Sequence, residues 1–176
     1  MFLVRRAVPE DACAIRRVAE TLKYEPPGSE KGFLVHVRSD EVYRVILEIS
    51  KHSFVAEEDG QVVGFLLVHT LNELEALASR ILEKDQVIRY VLELGDGTVV
   101  YADQIGVSLD ARSRGTGQAL AEAMGKEHPK AHFMAAIMHR PAKNGVSLRL
   151  AMRNGWTLRT EIPENEFVWG IYEHRN

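Results

Sequence analysis

The chain has 176 residues, enough for one domain with a real core, and its make-up of 45% hydrophobic and 27% charged residues is that of a globular protein. A net charge of -3 argues against a general nucleic-acid surface, and the single cysteine, Cys13, excludes an intrachain disulfide and a thiolate metal cluster. No run approaches the roughly 20 apolar residues of a membrane span and the charged start lacks a signal-peptide core, so the expectation is one cytoplasmic domain over 1–176, with neither membrane nor nucleic acid as partner.

The opening "MFLVRRA" reads as a short strand. In "PEDACAIRRVAETL" Pro9 suits the first turn of a helix, Glu10 and Asp11 suit the positive end of its dipole, and Ala12, Ile15, Val18, Ala19 and Leu22 share one face. Pro26, Pro27 and Gly28 then break regularity. Ser39 or Asp40 is the expected cap of a helix whose buried stripe is Val42, Val45, Ile46 and Ile49. Two β-rich runs, about 53–58 and 61–69, flank Asp59-Gly60, a strong hairpin signal. The 71–94 stretch reads as one long helix or two short ones, with Leu71, Leu74, Leu77, Ala78, Ile81 and Leu82 on one face, ended by Gly95 and Gly97. A buried strand over 98–107, a helix over 115–127, a strand over 131–138 and a helix stopped by Gly155 follow. A last antiparallel pair surrounds Pro163. The sum is one mixed α/β (α+β) domain.

The chemistry concentrates in "IGVSLDARSRGTGQAL", where a strand hands over to a helix. The first N–H groups of a helix lack internal partners and its dipole leaves positive charge there. Gly115 and Gly117 let a bulky anion approach the backbone, and Arg112 and Arg114 add charge-assisted hydrogen bonds. The plainer alternative is a solvated loop whose arginines pair with Glu122 or Asp110. A P-loop does not fit, because Leu120 stands five residues before Gly125 and Glu127 follows Lys126. A dinucleotide loop fails as well, since Leu120 occupies the place of its third glycine.

Arg112-Ser113-Arg114-Gly115-Thr116-Gly117 resembles the pyrophosphate loop of the GNAT superfamily of acyl-CoA-dependent N-acyltransferases. The opening "VRRAVPEDACAI", the hairpin "FVAEEDGQVVGFLLV" and the last helix "NGVSLRLAMRNGW" are similar to further family segments, in family order. The resemblance implies a twisted mixed sheet of six to seven strands flanked by helices, with 71–94 as an extra helical segment between the third and fourth strands. It implies that the fourth and fifth strands splay to admit the pantetheine arm of acetyl-CoA. Ile105, Gly106 and Val107 would then bind that arm. Amides of Arg112, Ser113, Arg114, Gly115, Thr116, Gly117 and Gln118 would hold the pyrophosphate. Asn144 and Ser147 would lie beside pantetheine, although Asn144 also reads as a helix-entry residue bonded to its own backbone.

Acetyl transfer needs a neutral amine. A lysine-like amine of pKa about 10.4 costs about 4–5 kcal/mol to neutralise at pH 7, an α-amine near 8 only about 1 kcal/mol. Asp103 is the candidate catalytic base, on a strand face shared by alternation with Tyr101, Ile105 and Val107; a structural carboxylate paired with a cation is the alternative. Gln104 is a candidate for orienting the amine, and Glu57 is a reserve base. Many relatives place a tyrosine four residues before the last helix's glycine, where this chain has Ala151, leaving Tyr172, Tyr101 or solvent as proton source. No metal site is expected, because Pro129 breaks the spacing of His128 and His132 and no HExxH occurs. His139-Arg140 reads as surface charge near the acceptor. Acceptor walls are expected from 24–33, the 71–94 segment and the last two strands, with Glu25, Glu30 and Glu73 as candidate attractors of a cationic amine. The acceptor is then a small-molecule or protein amine. The alternatives are a non-catalytic acyl-CoA-binding module and an interaction protein, with the 71–94 stripe as a partner or homodimer surface.

Overall fold

A computed structural model describes residues 2–26, 32–95, 97–112 and 114–175; Pro27, Gly28, Glu30 and Ser113, singled out above, lie outside them. Strand β1 (Leu3–Arg6) leads through a 3-10 turn at Pro9–Asp11 into helix α1 (Ala12–Glu20). Helix α2 (Asp40–Ile49) precedes the hairpin of β2 (Phe54–Glu58) and β3 (Gln61–Thr70). Helices α3 (Leu71–Arg80) and α4 (Gln86–Glu93) lead to β4 (Val99–Val107), α5 (Thr116–Glu127), β5 (His132–Arg140), α6 (Gly145–Arg153), β6 (Thr157–Glu164) and β7 (Phe167–Arg175). The hairpin forms where expected: Asp59 and Gly60 both take positive φ, as a two-residue turn matched to strand twist requires.

Seven strands form one sheet in the order β1-β2-β3-β4-β5-β7-β6. Every neighbouring pair is antiparallel except β4 and β5. That parallel pair runs only from Val99↔His132 to Ala102↔Ala135, although β4 continues to Val107 and β5 to Arg140. The strands therefore part halfway along, and the β5-facing edge of 103–107 has no strand partner.

One core, with Leu120, Met124, Phe133 and Trp156, lies on the α5–α6 face. A second, with Ile15, Tyr43, Ile46 and Phe65, lies under α1 and α2. The α2 stripe differs from the expected one. Tyr43, Ile46 and Leu47 are buried, while Val42, Val45 and Ile49 are half-buried. The shift follows from Tyr43, whose ring packs on Phe65 and whose hydroxyl reaches Gln104, so a large side chain with a buried polar partner sets the helix's rotation.

The 71–94 region is two helices. Thr70 caps α3 by accepting from the Glu73 amide, and Glu73 returns its carboxylate to the Thr70 amide at 2.8 Å. Asp85 starts α4 by accepting from the Ile88 amide at 2.7 Å. The apolar stripe turns inward: Leu74 and Leu77 are fully buried and Val87, Ile88 and Val91 join the third core. Thr70→Ala should lower the unfolding free energy by about 1 kcal/mol, as loss of a capping box does, read as a lower urea midpoint with unchanged slope.

Candidate functional site

A single backbone irregularity shapes the centre of the molecule. Gln104 pairs with Leu67 and Ala102 with Val68, so Asp103 is an extra residue, a β-bulge, in β4. The strict alternation expected of Tyr101, Asp103, Ile105 and Val107 is thereby broken. Ile105 and Val107 pack with Val100 and Ala102 on the α5–α6 face, while Val99 and Tyr101 belong to the core on the opposite side. Gln104 also turns to that opposite side, accepting from the Tyr43 hydroxyl and donating to the His36 carbonyl at 2.5 Å. Gly106 is small for a packing reason: a Cβ there would lie 2.7 Å from the Phe65 ring.

Where β4 and β5 part, two connected spaces open. A groove of about 430 Å³ runs from Ile105 and Val107 past Arg112 to Gly115, Thr116, Gly117 and Gln118, with Ser147 and Leu150 of α6 opposite. Gly115 takes φ +83 to turn the chain into α5, a conformation that favours glycine. Gly117 faces open groove, the nearest atoms to a Cβ there being Leu150 Cδ2 at 3.7 Å and Val107 Cγ2 at 3.8 Å. Arg112 donates from Nε to the Val107 carbonyl at 3.0 Å, and burial lowers its pKa. Arg114 binds both Glu58 oxygens and the Asp110 carbonyl, a different pairing from the Glu122 or Asp110 side chain considered from sequence. Gln118 is bonded to Glu122 and Asn154, and the Thr116 hydroxyl to the Ala111 carbonyl, which leaves their amides as the groups offered at the helix head. Asn144 caps α6 through Ser147 and donates to the Phe33 carbonyl at 2.8 Å.

The second space, about 160 Å³, lies in the gap itself and touches Asp103, Asn144, Ser147 and Ala151. Arg38 Nη1 stands 2.5 Å from Asp103 Oδ2 and Nη2 stands 3.2 Å from Oδ1. His69, fully buried, contacts the same Oδ2 at 3.3 Å and Ser50 Oγ at 2.6 Å. Burial pushes the Asp103 carboxyl up, but the Arg38 charge and the His69 hydrogen bond outweigh it and hold the group well below the usual carboxylate range. Tyr101 lines this space with its phenol pushed up by burial. The Tyr172 hydroxyl is bonded to His139 Nε2 at 3.0 Å, and His139 Nδ1 to Glu161 at 2.6 Å, so His139 is tied into a network and is not simple surface charge. Glu57 is tied to Arg5, Glu73 caps α3, and Glu25 is exposed. His132 is bonded to Glu173 and the His128 ring packs against His52; among the described residues no group of three or more His, Cys, Asp or Glu is placed to hold a metal ion. No helix among them is long and apolar enough to cross a membrane.

Sequence reasoning missed Arg38, His69, Asp85 and Trp169, all of which meet in or behind this space. Arg38 and His36 precede the Ser39 cap in an extended segment without periodicity, and His69 and Trp169 sit in apolar strands where they read as core.

The profile of the Acetyltransferase (GNAT) family matches residues 20–156. No curated protein sequence matches the chain. Among solved structures, the yncA protein of Salmonella typhimurium with its cofactor acetyl-CoA has a TM-score of 0.66 at 16% identity, covering 99% of this chain and 94% of that one. Diaminobutyrate acetyltransferase from Paenibacillus lautus, in complex with L-2,4-diaminobutyric acid and coenzyme A, has 0.67 at 13%, covering 98% and 93%. The ribosomal-protein-S18-alanine N-acetyltransferase from Escherichia coli has 0.66 at 12%, covering 99% and 94%. At these identities the likeness is one of fold.

Proposed function

The chain belongs to the Acetyltransferase (GNAT) family, and from that premise we propose that it transfers an acetyl group from acetyl-CoA to a primary amine by direct attack. The observation that carries this reading is the parting of β4 from β5 after Ala102, next to the glycine-bearing head of α5. An unpaired strand edge and a row of free helix amides are the complements of an amide-bearing arm and a diphosphate.

In this reading Ile105, Gly106 and Val107 offer backbone groups to the pantetheine arm. The amides from Arg112 through Ser113, Arg114, Gly115, Thr116, Gly117 and Gln118 hold the pyrophosphate. Asn144 and Ser147 flank the arm near the gap, where they already border the 160 Å³ space. Bound acetyl-CoA supplies an activated thioester whose thiol, with a cysteine-like pKa of about 8.5, leaves at modest cost. The reaction joins the amine nitrogen to the acetyl carbon and breaks the carbon–sulfur bond, with the electron pair and one proton ending on sulfur. Because leaving is cheap, Ala151 in the place of a tyrosine is compatible with transfer. Asp103, kept ionised by Arg38 and His69, contributes a fixed negative charge that holds an ammonium near the gap.

Calorimetry with acetyl-CoA, followed by thiol release across a panel of amines, tests the proposal. Saturable binding with amine-dependent thiol release is expected. Binding without release from any amine would favour the non-catalytic module that Ala151 suggests; absence of binding at millimolar acetyl-CoA would end both readings.

A further inference from the structure

The acceptor end of the gap is built by residues far apart in the chain, and two of them take no part in the acetyl-CoA contacts proposed above. Asp85 and Trp169 both line the 160 Å³ space. Trp169 is nine-tenths buried, its residue 9% exposed, and its indole Nε1 has no hydrogen-bond partner among the described residues. A buried donor left unpaired is costly, so a ligand that accepts from it recovers that cost. His36 stacks on the same indole at 6.1 Å between ring centroids.

Asp85 sits at the head of α4, where among the described residues its carboxylate accepts one hydrogen bond, on Oδ1 from the Ile88 amide. Glu164 of β6 reaches the same helix end and accepts from the Gln86 amide at 2.6 Å. The groups facing Asp85 are Glu164, then His36, and Asp103 and Tyr101 of β4. Both Asp103 oxygens are engaged by Arg38, whereas among the described residues no guanidinium or lysine is hydrogen-bonded to the Asp85 carboxylate. Burial first, then the charges of Glu164 and Asp103, push the Asp85 carboxyl up, while its helix-cap bond and His36 oppose the shift. Two carboxyls on one space are thus driven in opposite directions, a division that separates a proton acceptor from a fixed charge.

Beside the polar groups that also line it, Arg38, Gln104 and Asn144 among them, much of the wall is apolar, from Phe33, Val87, Ile88, Tyr101 and Met138. A cavity near 160 Å³ has room for about one benzene-sized group, on the scale of engineered apolar cavities of about 150 Å³ that take benzene.

On the acetyltransferase reading above, we propose that this space is the acceptor site, that Asp85 is the residue that takes the proton from the incoming ammonium, and that the acceptor is a compact primary amine with a ring-sized apolar body and one hydrogen-bond acceptor for Trp169. The ammonium gives one proton to Asp85 Oδ2 and gains its lone pair. The nitrogen then bonds the acetyl carbon as the carbon–sulfur bond breaks, and its second proton goes to the departing sulfur. The 71–94 segment is what delivers this carboxyl: α4 begins at the gap because Asp85 caps it there.

The test uses the full chain, acetyl-CoA and four amines: 2-phenylethylamine, tyramine, spermidine and a lysine-containing peptide. The two arylalkylamines should exceed spermidine and the peptide in kcat/KM by at least tenfold. Asp85→Asn, which keeps a good helix cap, should lower kcat/KM by at least 100-fold and remove the acid limb of the pH–rate profile. Its acetyl-CoA Kd should stay within twofold of wild type, and Asp85→Glu should restore part of the rate. Trp169→Phe should erase the preference for tyramine over 2-phenylethylamine. Wild-type rates and pH profile in Asp85→Asn, or a preference for spermidine or the peptide, would overturn the inference while leaving the transferase reading intact. Absence of acetyl-CoA binding, or of thiol release with every amine, would remove the transferase reading itself and this assignment with it.

Discussion

Gly117→Glu should abolish acetyl-CoA binding while leaving the protein folded and at least as stable as wild type. The fold has room for the change. A Cβ at Gly117 meets nothing closer than 3.7 Å, the second residue of α5 is an ordinary helical position, and replacing glycine in a helix recovers up to about 1 kcal/mol. A carboxylate in the first turn also suits the dipole. What it does not suit is a diphosphate in the same place, since its charge repels the ligand and its bulk covers the amides. A loss of at least 100-fold in Kd is expected, equivalent to about 3 kcal/mol, by calorimetry beside an unchanged or higher urea midpoint. A variant that binds acetyl-CoA within twofold of wild type would mean that the head of α5 does not hold the pyrophosphate.

Asp103→Ala should be among the most damaging single changes, for stability as well as for activity. Arg38 and Asp103 are only 13% and 12% exposed, and removing the carboxylate strands a buried guanidinium that has no second salt bridge among the described residues. Breaking a buried pair from one side costs about 3–5 kcal/mol. The pair itself is weak evidence of stability, so replacing both partners by apolar residues, Arg38→Met with Asp103→Leu, should recover most of the loss. The double variant, folded but without the fixed charge, should remain inactive, which separates the two roles. The sign of the pH dependence follows from Asp103's lowered folded-state pKa. Its contribution is fully present above the ordinary carboxylate range and is lost as the pH falls toward the folded value. Urea midpoints of wild type should therefore drop on acidification more steeply than those of the double variant; parallel curves would contradict the assignment.

The elements themselves were legible because each writes a local signature. Asp59-Gly60 marks its hairpin, Gly155 ends α6 with φ +74, Ser39 caps α2, and the face Ala12, Ile15, Val18, Ala19 of α1 is buried as its spacing says. The loop from Arg112 to Gln118 was legible for the same reason: a strand, a turn with two glycines and a helix head occur within a dozen residues. The exposed-side partners of that loop were not, and Arg114 found Glu58 on the β2 hairpin, 56 residues away.

Composition, the order of strands and helices, the kind of core and the glycine-bearing turn into α5 were determined by the sequence alone, since period, capping and turn chemistry act over a few neighbouring residues. The tertiary structure decided the rest. A bulge at Asp103 exists only in the pairing of β4 with β3, so no reading of β4 by itself reveals that Ile105 and Val107 leave the face of Tyr101. The rotation of α2 waited on Tyr43 finding Gln104. Arg38, His69, Asp85, Asp103 and Trp169 come from five separate segments, and their meeting follows from where β4 and β5 part. Charges and hydrogen bonds act over a few ångströms of space rather than a few residues of chain, which is why the site's chemistry became visible only after folding.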